Sequence, residues 1–258
     1  MKRFYRLLHY EVYHLLKYVA VISIALIASS LWLIGLELKN YSFSNTFERY
    51  EHLYTNSGSV WLFTLAFIAL LLVIAYSFQV PFSKRGRSIY TLLTLPLHRS
   101  FIYFAKLLAA FIAILLLYCA QLITFIAGYY MMEMALGNYN NGILSMDNGL
   151  YLAFLRLPLF HLLWPKTPLV LFVVVSSCLV LITAIMRTIL HFISDRHLTT
   201  HLFLLPVIIS FTHLFLDLRV FPIYYDERSM IINAIVLTLA SLFFIWDSLQ
   251  LIRKGAVV

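Results

Sequence analysis

Residues 191–201, HFISDRHLTTH, gather His191, His197 and His201 around Asp195. Imidazoles with a carboxylate are a transition-metal donor set, and beside a membrane such a site would suit an integral membrane enzyme. The spacing argues against it. On one continuous helix His197 and His201 share a face while His191 is turned away, and no second histidine cluster completes a ligand set. The segment reads instead as a short polar turn, and neither a metal nor a catalytic group is expected. Other chemistry lacks its motif. None of the 8 glycines opens a GxxxxGK[ST] phosphate loop, and GxSxG, HExxH and paired CxxC are absent. If ATP drives this protein, another chain must bind it.

A second set of candidates consists of polar residues inside long apolar runs: Gln121, Thr124, Ser176, Ser177, Thr183, Thr212 and His213. Within a bilayer such groups are functional candidates by default. Gln121, Thr124, Ser176, Ser177, Thr212 and His213 are candidates to line a route, although the simpler reading of such groups is structural. The competing reading is that Ser and Thr bond their own helix or join neighbouring helices. His213 and Asp217, four apart, share a helix face and can pair. Pro206 predicts a kink nearby. Cys119 and Cys178 both fall in apolar runs and read as small packing residues.

The elements that hold these residues must be membrane helices. The chain has 258 residues, 62% of them hydrophobic and 12% charged, with mean hydropathy +0.90. A soluble domain carries about a quarter charged residues. The net charge of +8 is better explained by cytoplasmic loops that collect Lys and Arg than by nucleic acid, so no nucleic-acid partner is expected. The expected fold is all-α and integral to the membrane, as a single domain. Its six spans are at about 18–38, 58–81, 101–132, 168–192, 199–221 and 229–252. Residues 1–17 read as a basic amphipathic helix lying along the inner membrane surface. Phe4, Leu7, Leu8, Val12, Leu15 and Leu16 form one half, Lys2, Arg6, His9 and Lys17 the other, with Glu11 intruding on the apolar side. The first span reads as uncleaved. With the N-terminus inside, the inner segments hold Lys2, Arg3, Arg6, Lys17, Lys84, Arg85, Arg87, Arg99, Lys106, Arg187, Arg196, Arg253 and Lys254. Most of the acids fall outside. Both termini are therefore expected in the cytoplasm. The longest outer loop, about 133–167, is turn-rich at first and then apolar, suited to the outer interface or a re-entrant piece.

The inner stretch between spans two and three, SKRGRSIYTLLTLPLHRSFIYFAK, carries Lys84, Arg85, Arg87, Arg99 and Lys106 around a short half-apolar helix. Ile89, Tyr90, Leu92, Leu93 and Leu97 lie on one side of it, Arg87, Thr91 and Thr94 on the other, and Pro96 marks a stop. An anchor would need only the charges; two faces suggest that something is gripped. The run from Gly86 to Lys106 resembles the segment after the second span in ABC-2 type transporter permeases. Those proteins show a Gly (here Gly86), a Leu pair (Leu92, Leu93), an LPxxR element (Leu95, Pro96, Arg99) and a Lys at the head of span three (Lys106). The layout of the whole chain is similar as well. The Glu that members often carry before the Leu pair is absent here.

The resemblance implies a cytoplasmic coupling helix that docks in a cleft of a separate ABC ATPase subunit, where ATP and Mg bind. Leu92 and Leu93 would plug the cleft, rimmed by Arg85, Gly86, Arg87 and Tyr90. Two copies, or one copy with a paralogue, would enclose the route, and the cytoplasmic membrane would be the location. Cargo is expected to be amphipathic, peptide, lipid-like or drug-like, and its direction outward. Membrane lipids are expected partners, with anionic headgroups near Lys2, Arg3 and Arg6. The alternatives are an integral membrane enzyme using the histidines, or a non-transporting sensor or assembly factor.

Overall fold

Hydrocarbon offers no partner for a backbone N–H, so an apolar run that enters it must close its hydrogen bonds internally, as a helix. The computed structural model describes residues 2–40, 50–82, 99–140, 149–157, 160, 168–193 and 227–253. Among the described residues there are helices and no strand: α1 (Lys2–Asn40), α2 (Tyr50–Asn56), α3 (Ser59–Phe82), α4 (Arg99–Asn140), α5 (Gly149–Arg156), α6 (Pro168–Ile193) and α7 (Glu227–Arg253). Five of them, α1, α3, α4, α6 and α7, are long and apolar enough to cross a membrane. The chain is thus an all-helical, multi-pass membrane protein. Residues 83–98 of the inner hairpin expected at 83–106, and the span expected at 199–221, lie outside the described residues.

Two expectations change. The interfacial helix at 1–17 and the first span at 18–38 are not separate elements. They form one helix of 39 residues, because no Gly or Pro interrupts the sequence before Gly35. At about 1.5 Å per residue it is roughly 58 Å long, nearly twice the ~30 Å of hydrocarbon. The expected outer loop at 133–167 is partly helical: α4 runs on to Asn140 over 42 residues, and α5 follows.

The chain divides into two compact units. The first comprises residues 1–16, 71–113 and 165–258 and holds the start of α1, the end of α3, the start of α4, and α6 with α7. Here α1 and α4 run parallel, with Phe4 against Phe101, and Leu7 with Ile102 and Ala105. The end of α3 packs antiparallel through Phe78 on Tyr103. Helices α6 and α7 also run parallel. Val180 clusters with Leu237 and Phe244, while Arg187 reaches Phe243 and His191 reaches Asp247, four residues further along both helices.

The second unit comprises residues 17–70 and 114–164. Its core is aromatic: Tyr50, Leu53 and Tyr54 of α2 meet Phe125, Tyr129 and Met132 of α4, with Ile34, Ala153, Leu157 and Phe160 closing the cluster. Gly128 lets these helices approach, since a Cβ there would lie 2.6 Å from the Tyr50 hydroxyl and 2.8 Å from Ile34 Cδ1. Close approach matters because helices in lipid associate by packing and hydrogen bonds rather than by the hydrophobic effect. Helix α2 ends on Gly58, whose φ of 77° is the left-handed conformation that glycine adopts without a steric penalty.

Candidate functional site

The coupling residues expected from sequence, Arg85, Gly86, Arg87, Tyr90, Leu92 and Leu93, lie outside the described residues. The two helix ends that flank this segment, its roots, are described. One root is the last turn of α3, where Pro81 has no N–H. The carbonyl four residues earlier, that of Ser77, therefore lacks its helical donor. The Lys106 ammonium, on the other root, takes that place. Its Nζ donates to the Ser77 carbonyl at 3.4 Å and to Glu11 Oε2 at 2.8 Å. One ammonium thus joins α1, α3 and α4.

This pair is buried: the Lys106 and Glu11 side chains are 5% and 9% exposed. Glu11 follows Leu7 by one turn and precedes Leu15 by another, so it shares the inward face of α1. That is why it looked out of place among apolar residues on the wheel. Burying a charge is costly unless it is paired and hydrogen-bonded, and Lys106 supplies both.

The first unit holds a second charged cluster, between α6 and α7. Asp247 Oδ2 accepts from Arg187 Nε at 2.7 Å and contacts His191 Nε2 at 2.8 Å. The Arg187 guanidinium also lies over the Phe243 and Phe244 rings, 5.2 and 5.0 Å from their centroids, a favourable cation–π geometry. His191 is therefore engaged by a carboxylate on another helix. His197, His201 and Asp195 lie outside the described residues, among which no cluster of metal-ligating side chains occurs. Nearby in the same unit, the buried Tyr103 hydroxyl comes up to Ser248 without a hydrogen bond of standard geometry.

In the second unit Gln121 is fully buried and donates from Nε2 to the Tyr54 hydroxyl. Its Oε1 has no partner among the described residues. Tyr50 donates to the Phe125 carbonyl at 2.7 Å, and Thr124 to the Ala120 carbonyl at 3.0 Å. Burial pushes the Tyr50 phenol far above its ordinary range, with the neighbouring Tyr54 adding to it, and burial alone does the same to Tyr54. Both stay neutral donors at any physiological pH.

The remaining candidates divide plainly. Ser176 and Ser177 each donate to the Val173 carbonyl, at 2.9 and 2.7 Å, and Thr183 to the Leu179 carbonyl at 2.8 Å. All three bond their own helix. Thr212 and His213 lie outside the described residues. Sequence reasoning singled out Gln121 but not Tyr54, and Lys106 but not its tie to Glu11. It left Asp247 unassigned. The available signal was the rarity of acids in apolar surroundings: Glu11 is the only acid before Glu37, and Asp247 the only one between Glu227 and the last residue.

Chemically, these groups can hold helices in register and carry charge. No family model, curated protein or solved structure matches this chain.

Proposed function

We propose that this chain is the membrane-spanning permease subunit of an ATP-driven exporter resembling the ABC-2 type, working with a separate ATPase. The observation that carries the reading is the run GRSIYTLLTLPLHRSFIYFAK, with its Leu pair, LPxxR element and Lys106. The absence of any phosphate loop in the sequence agrees with nucleotide binding in another subunit.

The parallel run of α6 and α7 supports a six-span topology. The C-terminal ends of α6 and α7 lie side by side, which fits one further crossing by the chain between them, and residues 199–221 are apolar and long enough for it. With six spans and the Lys/Arg bias, both termini lie in the cytoplasm and the Leu92–Leu93 hairpin faces an ATPase there. ATP and Mg act in that partner, whose closure rocks this chain against a second copy or a paralogue. Cargo of amphipathic, peptide, lipid-like or drug-like character suits surroundings with few charges.

The test is to extract the tagged chain gently from its native membrane and identify what co-purifies. A P-loop ATPase in equal copy number is the expected result, and Leu92→Asp with Leu93→Asp releases it from an otherwise inserted chain. A chain that comes out alone in several detergents, or a double variant that still holds the ATPase, refutes the reading.

A further inference from the structure

Under the proposed function residues 83–98 are the docking segment, joined to the rest of the chain by two roots. Any force on it enters through the end of α3 and the start of α4. Ser77 stands five residues before the end of α3, and Lys106 seven after the start of α4. Lys106 bonds the Ser77 carbonyl and Glu11 at once. Pro81 is the reason that carbonyl is open to it.

A buried ion pair is a poor device for stability alone, because well-packed apolar side chains of similar volume do as well or better. It is a good device for fixing which groups sit together. Here the ammonium meets one carboxylate and one carbonyl, each from a different helix. Glu11 also belongs to an unbroken helix of 39 residues, and its first turns lie in the same unit as Ser77 and Lys106.

From these contacts we infer that Lys106 and Glu11 form a strap that makes α1 move with the hairpin. Glu11 is then a positioning residue for coupling. This rests on the proposed function, since it takes the docked ATPase as the source of the force. The strap hands motion at the two roots to α1, which has no covalent link to the hairpin except through α3 and the chain before it. Without the strap, α3 and α4 follow the ATPase and α1 lags.

The test uses the co-purified permease–ATPase complex in liposomes, with Cys119→Ser removing the exposed thiol. Bimane is attached at Tyr5→Cys on α1 or at Phe104→Cys on α4, both exposed positions. Emission is compared before and after trapping with ATP, Mg and vanadate. In the native background both labels are expected to shift. With Glu11→Leu and Lys106→Met the Tyr5 label loses its shift while the Phe104 label keeps it. Adding Pro81→Ala returns an N–H to the Ser77 carbonyl, so this triple variant is strapless without an orphaned acceptor, and the same loss is expected. A Tyr5 shift that survives in both strapless chains overturns the inference and leaves the proposed function standing. If neither label shifts in a native complex that contains the ATPase, the hairpin does not drive the chain, and reading and inference fall together.

Discussion

Lys106→Met is the most informative single substitution, and its cost can be worked from the contacts. It removes the charged partner that Glu11, 9% exposed, has among the described residues. Stranding one member of a buried pair costs about 3–5 kcal/mol. The Ser77 carbonyl, already without a helical donor, loses its ammonium and adds about 1 kcal/mol. Glu11→Leu strands the ammonium instead and should cost about 3 kcal/mol, eased by the Ser77 carbonyl. The double variant strands nothing charged and should lie within about 1 kcal/mol of the native chain. On these figures the four proteins form a cycle with a coupling of roughly 6 kcal/mol, read from reversible unfolding in mixed micelles as the SDS fraction rises. Denatured helices in detergent find other partners, which pulls the value toward the low end. Single effects that add to within about 0.5 kcal/mol would mean that the two side chains act independently, and the reasoning would be refuted.

Three further outcomes are expected. Gly128→Ala drives a methyl into the Tyr50 hydroxyl and Ile34, costing about 1–3 kcal/mol in the same unfolding assay. Pairing it with Tyr50→Phe recovers part of the loss, and no recovery would locate the clash elsewhere. Asp247→Asn leaves a 5% exposed Arg187 side chain without its carboxylate, so thermal stability in detergent falls by about 3 kcal/mol; an unchanged midpoint contradicts the pairing. Because burial raises the Tyr50 and Tyr54 phenols, their protonated forms favour the folded state. That contribution is complete below the unfolded phenol value of about 10 and declines as pH rises above it. Tyrosinate absorbance from these two therefore appears only with unfolding, and Tyr50→Phe with Tyr54→Phe diminishes that late step. Their titration with the exposed tyrosines of the native protein would refute it.

Apolar length was legible in the sequence. Spans expected at 58–81, 168–192 and 229–252 correspond to Ser59–Phe82, Pro168–Ile193 and Glu227–Arg253, because a run that cannot hydrate its backbone has little choice of structure. Pairings were not legible. Glu11 and Lys106 stand 95 positions apart, and nothing near either one announces the other. On a helical wheel Glu11 broke the pattern, and that break was the visible trace of a distant partner. Helix α2 was missed for a related reason. Its seven residues, YEHLYTN, are too short and polar to declare a helix, and they are held by rings of α4 far along the chain. Gln121 could be picked out by its polarity in an apolar run, whereas its partner Tyr54 looked like one loop tyrosine among many.

The parallel pairing of α6 with α7 has a consequence for synthesis. Arg187 and Asp247 are 60 positions apart. At about 5–20 residues per second, the ribosome delivers the carboxylate roughly 3–12 s after the guanidinium. During that interval Arg187, near the end of a nascent span, has no Asp247, and drawing it into lipid costs a few kcal/mol. The emerging chain must therefore keep α6 near the translocon, or near the interface, until its last helix arrives. A stalled or truncated product ending before Asp247 would carry Arg187 without that carboxylate, a mark by which quality control could recognise it.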